Sequence, residues 1–179
     1  MKAVGLITEY NPMHKGHVKH LEMSKELSGA DVAVSVMSGD FVQRGEPAVM
    51  DKYLRTASAV NSGVDLVVEL PVRYATASAE GFATGAVDIL HYLGVDSICF
   101  GSESGNINAL TKIASVLASE PDGFSDLIKE NLKTGMSYPA AREAAITSLG
   151  IFDGKKVHKL LSSPNNILGI EYIKSVIRN

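Results

Sequence analysis

Residues 5–17 read Gly5-Leu-Ile-Thr-Glu-Tyr-Asn-Pro-Met-His14-Lys-Gly-His17 and join an apolar run to the start of a helix. The run from Ala3 to Ile7 has the length and β-branched character of a central parallel strand. Asn11-Pro12 then breaks the strand, and a helix is predicted from His14 to Leu27. A strand that leads into a helix in this way predicts an anion-binding helix N-terminus at the edge of a parallel sheet.

Two histidines open that helix. His14 and His17 are three positions apart, so their side chains lie on one face, beside unsatisfied N–H groups and the positive end of the helix dipole. Gly16 has no Cβ, which lets a triphosphate approach the backbone, and the imidazoles can donate hydrogen bonds to charge that develops during phosphoryl displacement. Histidines at a helix start also act as simple caps, and the tetrapeptide alone leaves this alternative open. Its position after the first strand favours a nucleotide phosphate site.

The other polar residues of this segment have weaker assignments. Lys15 can neutralise phosphate charge, although a lysine at a helix start is more often solvated. His20 is expected to face solvent or to pack sideways. A zinc site needs a third ligand, and neither Glu9 nor Glu22 is suitably placed, so no metal-binding residues are predicted.

Strand-like runs alternate with helical segments up to Phe100. This alternation predicts an α/β fold with a parallel sheet and crossover helices. The predicted strands are Lys2–Thr8, Asp31–Met37, Asp65–Leu70 and Ser97–Phe100. The helices predicted between them are His14–Leu27, Asp51–Asn61 with Tyr53, Leu54 and Ala57 on its apolar face, and Ala75–Leu93, which should pack closely against the sheet.

The pattern after Phe100 is helical, and no clear strand follows. The predicted helices are Asn106–Ser119, Phe124–Lys133, Ser137–Leu149 and a last one that begins near Ser163-Pro164. No repeat or low-complexity linker separates this segment from the rest. It is therefore predicted to be a helical C-terminal elaboration of the sheet, and residues 1–179 are predicted to form one domain.

Composition bounds the class of protein. The chain has 179 residues, 45% of them apolar, and a formal net charge of -3, as expected for a soluble globular domain without a global basic field. Composition therefore neither suggests nor excludes an RNA substrate. Cys99 is the only cysteine, which rules out an internal disulfide, and it is expected to be buried in a strand. No transmembrane or signal-peptide pattern is present, so a cytoplasmic location is expected.

A second group of polar residues follows the second predicted strand, in Met37-Ser-Gly-Asp40-Phe-Val-Gln-Arg44-Gly-Glu-Pro-Ala. Its glycines suit a loop that folds over a ligand. Arg44 can hold a carboxylate or phosphate bidentately, and Asp40 can orient Arg44 or a bound magnesium ion. A surface loop with an internal Asp40–Arg44 pair is an equal alternative. Lys52 and Arg55 follow, and an exposed helix face explains them adequately.

Two further segments contain candidate ligand contacts. After the fourth strand, Gly101 allows close approach of a nucleotide and Ser102 or Glu103 can supply hydrogen bonds, or the segment is a turn in which Asn106 caps the next helix. Near the C-terminus, Asn165-Asn166 can cap the last helix. The basic run Lys155-Lys156 and His158-Lys159 precedes it and can contact RNA, although such runs are usually solvated.

Taken together, three motifs resemble the bacterial tRNA(Met) cytidine acetate ligase family of the HxGH nucleotidyltransferase-like superfamily. They are the opening Gly5–His17 stretch, the Met-Ser-Gly-Asp-Phe-Val-Gln-Arg-Gly loop and the segment Pro-Asn-Asn-Ile-Leu-Gly-Ile-Glu-Tyr. The resemblance implies an α/β fold with a doubly wound parallel sheet of the HxGH, Rossmann-like nucleotidyltransferase type. It further implies ATP-dependent activation of acetate to acetyl-adenylate. It also implies acetyl transfer to N4 of the wobble cytidine of elongator tRNA(Met).

The resemblance also implies site residues. Gly101 would lie against the nucleotide, Asn165 would contact it, and His14 and His17 would stabilise the α-phosphate. Magnesium would bridge the phosphates. The motif itself gives Asp40 and Arg44 no role, and their placement on the acceptor side is a separate hypothesis. The ATP-binding loop implied by the resemblance comprises Ile7, Thr8, Glu9, Tyr10, Asn11, Pro12, Met13, His14, Lys15, Gly16, His17, Val18, Lys19 and His20.

Family members are longer than this chain, so residues 1–179 are expected to be an ATP-binding domain from the N-terminal part of a longer ligase. A naturally short relative is the alternative. A clear Ser-Thr-x-x-Arg motif of the wider superfamily is absent. Two other functions remain open. One is nucleotidyl transfer to a small phosphorylated metabolite, and the other is nucleotide binding without catalysis.

Overall fold

The computed structural model describes all residues from 1 to 179, and they form two compact units. The first comprises Met1–Gly101 and Asn179, and the second comprises Ser102–Arg178. Each unit is described by itself below. The sequence-based interpretation of residues 1–179 as one domain stays a prediction.

The first unit contains a parallel sheet of four strands: β1 (Ala3–Thr8), β2 (Val32–Ser38), β3 (Leu66–Leu70) and β4 (Ser97–Ile98). The strand order is β3-β2-β1-β4, and every neighbouring pair is parallel. The predicted α/β fold is therefore confirmed. β1 lies in the interior of the sheet, between β2 and β4, and its Val4 and Leu6 side chains are completely buried. The loop that follows β1 leaves the sheet beside the loop that follows β2.

Helices connect these strands: α1 (Lys15–Ser28), α2 (Lys52–Asn61), the short α3 (Val72–Ala75) and α4 (Ala79–Tyr92). α1 ends at Gly29, whose φ of 61° is the left-handed conformation that glycine adopts readily. α4 packs closely on the sheet, as predicted, because a Cβ at Gly5 would lie 2.8 Å from the side chain of Leu90. The crossover helices thus cover the sheet and leave the strand ends for loops.

Three predictions for this unit are wrong in detail. The helix predicted from Ala75 to Leu93 starts later, as α4 at Ala79, because Ser78 caps it by accepting a hydrogen bond from the N–H group of Gly81 at 3.4 Å. The face of α2 that was predicted to be apolar is exposed, and Arg55 and Ala59 are buried instead. Cys99 lies beyond the end of β4 and is only half-buried, packed against the core of the sheet.

The second unit is entirely helical and contains α5 (Ile107–Ser119), α6 (Phe124–Lys133), α7 (Tyr138–Ser148), α8 (Gly154–Leu161) and α9 (Pro164–Arg178). Its core includes completely buried side chains from α5, α7, α8 and α9, namely Ile113, Ala145, Ile146, Val157 and Ile170. α5 and α9 pack side by side along much of their length. The helical pattern predicted after Phe100 is confirmed for four of the five helices.

α8 was not predicted as a helix. It is eight residues long, and Asp153 caps it by accepting a hydrogen bond from the N–H group of Lys156 at 3.0 Å. Val157 and Leu160 face the core, whereas Lys155 and Lys156 are exposed. None of the helices in the structure is long and apolar enough to cross a membrane.

Candidate active site

The HxGH tetrapeptide forms a reciprocal cap at the start of α1. His14 is the residue before the helix, and its Nδ1 atom accepts a hydrogen bond from the N–H group of Gly16 at 3.1 Å. The Nδ1 atom of His17 accepts one from the N–H group of His14 at 3.4 Å. Each imidazole therefore satisfies one N–H group that the helix start would otherwise leave unpaired. The two rings stack with centroids 3.7 Å apart.

These hydrogen bonds determine where the imidazole protons are. A ring nitrogen that accepts a hydrogen bond carries no proton, so the neutral rings of His14 and His17 are protonated at Nε2. The Nε2–H groups have no acceptor within the protein. Capping uses the Nδ1 edge of each ring, and phosphate binding would use the Nε2 edge. Both roles are therefore compatible, and two unused Nε2–H donors remain at the helix N-terminus.

Burial keeps His17 neutral. Desolvation lowers its pKa below the ordinary value of 6.5, and the neighbouring His14 and His20 lower that pKa further. Burial also lowers the pKa of His20, whose Nε2 atom lies buried without a partner. The prediction that His20 faces solvent or packs sideways is met by its half-buried position. At neutral pH His17 is thus a hydrogen-bond donor without a net charge.

Tyr10 links the end of β1 to His17. Its backbone has a φ of 43°, its side chain is 1% exposed, and its ring meets the ring of His17 edge-on with centroids 5.1 Å apart. Burial raises the pKa of the Tyr10 hydroxyl. Nearby, the hydroxyls of Thr8 and Ser35 are 2.8 Å apart and join β1 to β2. Tyr10, which precedes the cis Asn11-Pro12 peptide bond, therefore packs against His17 of the histidine pair.

The loop after β2 is a small hairpin rather than an extended cover. Phe41 pairs with Pro47 in an antiparallel bridge, and the N–H group of Ala48 donates to the carbonyl of Asp40 at 2.9 Å. The turn contains Gly45, whose φ is 76°, and the exposed Arg44 precedes it. We call residues 40–48 the β2 hairpin.

The ionic partners of the β2 hairpin differ from the predicted alternative. Asp40 lies 3.5 Å from the ammonium group of Lys52, and Lys52 also binds Glu69 at 2.9 Å. The internal Asp40–Arg44 pair is absent, and Arg44 has no ion-pair partner. A hydrogen bond to Glu69 raises the pKa of Lys52. A Cβ at Gly39 would overlap the carboxylate of Glu69, which would then have to move from its ion pair with Lys52.

Two side chains of the loop after β1 hold the β2 hairpin and the residue that follows it. Glu9 Oε1 accepts a hydrogen bond from the N–H group of Gln43 at 2.7 Å, and Asn11 Oδ1 accepts one from the N–H group of Val49 at 2.8 Å. Glu9 and Asn11 belong to the predicted ATP loop. In the structure their side chains are engaged with the neighbouring loop.

Arg55 is a residue of this site that sequence reasoning missed. It was assigned to an exposed helix face, yet it is 1% exposed. Its Nη1 donates to the carbonyl of Glu9 at 2.6 Å and to that of Ser38 at 3.0 Å, and its Nη2 donates to the carbonyl of Gly39. Nε donates to Met50 at 3.1 Å. No sequence signal identifies such a residue, because its partners are main-chain carbonyls. Every residue has one, so the identity of the partners does not mark the contact.

The remaining candidates of the first unit are open to solvent. A Cβ built on Gly101 would meet no atom within 4 Å, so there is room beside this residue. Lys15 and Lys19 are exposed on the first turns of α1. The contact of Gly101 with a nucleotide stays a prediction. No group of three or more histidine, cysteine, aspartate or glutamate side chains is placed to hold a metal ion.

In the second unit, the start of α9 is capped by Glu103. Its carboxylate accepts hydrogen bonds from the N–H groups of Asn165 at 3.1 Å and Asn166 at 2.9 Å. The cap predicted from the two asparagines is therefore wrong. The Asn166 side chain is buried and accepts from the Ser102 hydroxyl at 2.7 Å, whereas Asn165 is exposed. Slight burial opposes ionisation of Glu103, but the N–H donors prevail and lower its pKa.

The C-terminal Ile-Glu-Tyr motif contains a buried ionic group. Glu171 is 1% exposed, and its carboxylate binds Arg142 at 2.6 Å and Lys174 at 2.5 Å. This motif thus joins α7 to α9. The basic run on α8 is exposed, and Lys156 lies over the ring of Phe152 at 4.3 Å from its centroid.

A stacked histidine pair at the N-terminus of the helix after the first strand of a parallel sheet defines an HxGH-type, nucleotidyltransferase-like protein. The model of the HIGH Nucleotidyl Transferase family matches residues 1–179. The chain belongs to this family.

Curated relatives are named tRNA(Met) cytidine acetate ligase. The protein from Acetivibrio thermocellus is 54% identical over 179 residues, which are 99% of this chain and 43% of the relative. The protein from Clostridium novyi is 50% identical over 99% of this chain and 44% of its own length. The chain thus spans less than half the length of the curated relatives it matches.

Solved structures give the same likeness. Thermotoga maritima TmcAL bound with alpha-thio ATP has a TM-score of 0.94 and 46% identity, over 99% of this chain and 44% of that one. The apo form of the same Thermotoga protein also has a TM-score of 0.94.

Proposed function

We propose that this chain supplies the ATP-binding, adenylate-forming part of a tRNA(Met) cytidine acetate ligase. The observation that carries the proposal is the stacked pair His14 and His17, whose Nε2–H groups are unused at the start of α1. The curated relatives carry this name, and the Thermotoga protein binds an ATP analogue. The whole activity belongs to a protein longer than residues 1–179.

In the proposed first step, an acetate oxygen attacks the α-phosphorus of ATP. The bond from the α-phosphorus to the bridging oxygen breaks, and pyrophosphate leaves. His14 and His17 donate from Nε2 to the oxygens on which negative charge accumulates, and the N-terminus of α1 adds its positive end. No covalent protein intermediate is needed, since position and electrostatics supply most of the catalysis in such displacements.

In the proposed second step, N4 of the wobble cytidine of elongator tRNA(Met) attacks the acyl carbon. AMP leaves, and N4 loses one proton to water, which leaves N4-acetylcytidine. Arg44 supports an acceptor contact, because it is exposed, lacks an ion pair and precedes the turn of the β2 hairpin. Asp40 is paired with Lys52, so its role in this proposal is to orient the hairpin.

The rest of the proposed ATP site follows the motif. Residues from Ile7 to His20 form the loop around the phosphates, Gly101 lies against the nucleotide, and Asn165 contacts it. Magnesium enters with the phosphates of ATP, because the chain itself offers no three-ligand metal group. Residues 1–179 then form the nucleotidyltransferase-like, N-terminal part of the enzyme, which acts in the cytoplasm on acetate and tRNA.

Acetate-dependent ATP–pyrophosphate exchange in the full-length enzyme tests the first step. Wild type should incorporate labelled pyrophosphate into ATP only with acetate, and His17→Ala should lose this exchange while it retains its fold. His91→Gln is the matched control, because this histidine is exposed on the last turn of α4. Mass spectrometry of nuclease-digested tRNA(Met) detects N4-acetylcytidine from the second step.

Other results would redirect the assignment. Exchange that depends on a phosphorylated metabolite and not on acetate would identify a nucleotidyltransferase for that metabolite. ATP binding without exchange would indicate a non-catalytic nucleotide-binding protein. Wild-type turnover in the His17→Ala variant would refute the histidine role.

A further inference from the structure

Arg55 is the largest fully buried side chain of the molecule. A buried guanidinium is costly unless its donors are satisfied. Here the acceptors are four main-chain carbonyls, of Glu9, Ser38, Gly39 and Met50. No carboxylate pairs with it, so the positive charge is met by carbonyl dipoles alone.

These carbonyls belong to two different loops. Glu9 directly follows β1, and Ser38 and Gly39 lie at the end of β2 and just beyond it. Met50 follows the β2 hairpin and precedes α2. One planar side chain therefore joins the loop that leads to His14 and His17 with both ends of the segment that carries Asp40 and Arg44.

The Glu9 carbonyl also belongs to the peptide group shared with Tyr10. Because Arg55 binds this carbonyl at 2.6 Å, it restricts rotation of the peptide that places the Tyr10 ring. That ring contacts His17 edge-on at 5.1 Å. A continuous path of contacts thus leads from Arg55 through Glu9 and Tyr10 to the imidazole of His17.

We propose that Arg55 is a positioning residue, which fixes His17 and the β2 hairpin relative to each other and so governs the rate of adenylate formation more than ATP affinity. This inference rests on the proposed function. Displacement at phosphorus depends strongly on alignment, and a misplacement of about 1 Å can cost on the order of a hundredfold in rate. Arg55 touches no reacting atom and acts through Glu9 and Tyr10.

Arg55→Lys in the full-length enzyme is the test variant. Lysine keeps the charge but lacks the planar fork that reaches several carbonyls. Ala59→Gly is the matched control, because Ala59 lies on the same buried face of α2 and its replacement weakens the helix without removing a donor. For each protein we would measure kcat and KM for ATP in acetate-dependent exchange, the melting temperature, and hydrogen exchange at the N–H groups of Gln43 and Val49.

Arg55→Lys should lower kcat on the order of a hundredfold, with a smaller change in KM. It should also speed hydrogen exchange at Gln43 and Val49, which are bonded to Glu9 and Asn11. Ala59→Gly should lower the melting temperature and leave kcat near wild type. A variant that loses only melting temperature, or only affinity for ATP, would overturn the inference.

Failure of the proposed function gives a different result. Wild type would then show no acetate-dependent exchange, and the hydrogen-exchange measurement would decide the role of Arg55 by itself. Unchanged protection of Gln43 and Val49 in Arg55→Lys would show that the guanidinium does not hold the loops.

Discussion

His14 and His17 cap the same helix start with their Nδ1 atoms and stack with ring centroids 3.7 Å apart. Their caps and their unused Nε2–H donors lie on opposite edges of the rings. Folding and chemistry therefore use different atoms of the same side chains, and substitutions can separate the two roles.

Comparison of His14→Asn with His14→Ala separates the helix cap from the hydrogen-bond donor role of His14. Asparagine is a strong N-cap and can still accept the hydrogen bond of Gly16, but it has no imidazole donor. His14→Asn should unfold within a few tenths of a kcal/mol of wild type, whereas His14→Ala should lose about 1 kcal/mol. Both should lose most acetate-dependent exchange. Urea unfolding and exchange assays measure these effects, and equal stability of the two variants would contradict the cap.

Gly16→Ala should reduce activity without a loss of stability. The added Cβ would lie 3.0 Å from the ring of His14, so the imidazole would have to shift by a few tenths of an ångström. Alanine is more favourable than glycine in a helix by up to about 1 kcal/mol, which offsets the contact. We expect a fall of about tenfold or more in kcat/KM for ATP, or about 1.4 kcal/mol in transition-state stabilisation. Unchanged kinetics with a lower melting temperature would show that the ring does not move.

Stability should fall in mild acid because of His17. The pKa of His17 is lowered in the folded protein by burial and by His14 and His20, so below pH 6.5 the unfolded chain binds more protons. The free energy of unfolding should therefore decrease as pH falls from 6.5 toward the lowered pKa, and this contribution should be constant above 6.5. Urea midpoints of wild type and His17→Gln between pH 5 and 8 measure it. The variant should show a shallower slope, and identical slopes would contradict the burial effect.

Glu103→Ala should weaken the second unit. The carboxylate of Glu103 accepts from two N–H groups at the start of α9, and loss of such a cap costs about 1 kcal/mol. Glu103→Gln keeps one oxygen acceptor and should lose less. Because the N–H donors lower the pKa of Glu103 below 4.5, the contribution is present above pH 4.5 and disappears as pH falls through the lowered pKa. Urea unfolding at pH 7 and at acid pH measures both effects, and an Ala variant as stable as wild type would exclude the cap.

Local pattern was sufficient for the parts of the fold that depend on nearby residues. The alternation of apolar runs and helices predicted the four strands within a few residues, since strand and helix periods are properties of the local sequence. Helix starts with strong local caps, such as Asp51 for α2 and Asn106 for α5, were predicted within one residue. The position of His14 and His17 at a helix start was predictable in the same way, because their cap involves only four consecutive residues.

Interactions between distant positions could not be predicted in this way. Glu103 caps α9 from 62 positions earlier in the chain, and the neighbouring asparagines were a plausible local substitute. Arg55 reaches Glu9 across 46 positions. α8 is a different case, because its signals are local: Asp153 caps its start, and Val157 and Leu160 are three positions apart on its buried face.

The four acceptors of Arg55 are main-chain oxygens, which every amino acid possesses. Side chains at Glu9, Ser38 and Met50 can therefore change over evolutionary time without removing an acceptor, provided that the backbone keeps its course. Arg55 itself has no comparable freedom. The family's sequences should consequently tolerate more exchange at Ser38 and Met50 than at position 55, whereas Glu9 should vary less because its carboxylate also binds the N–H group of Gln43.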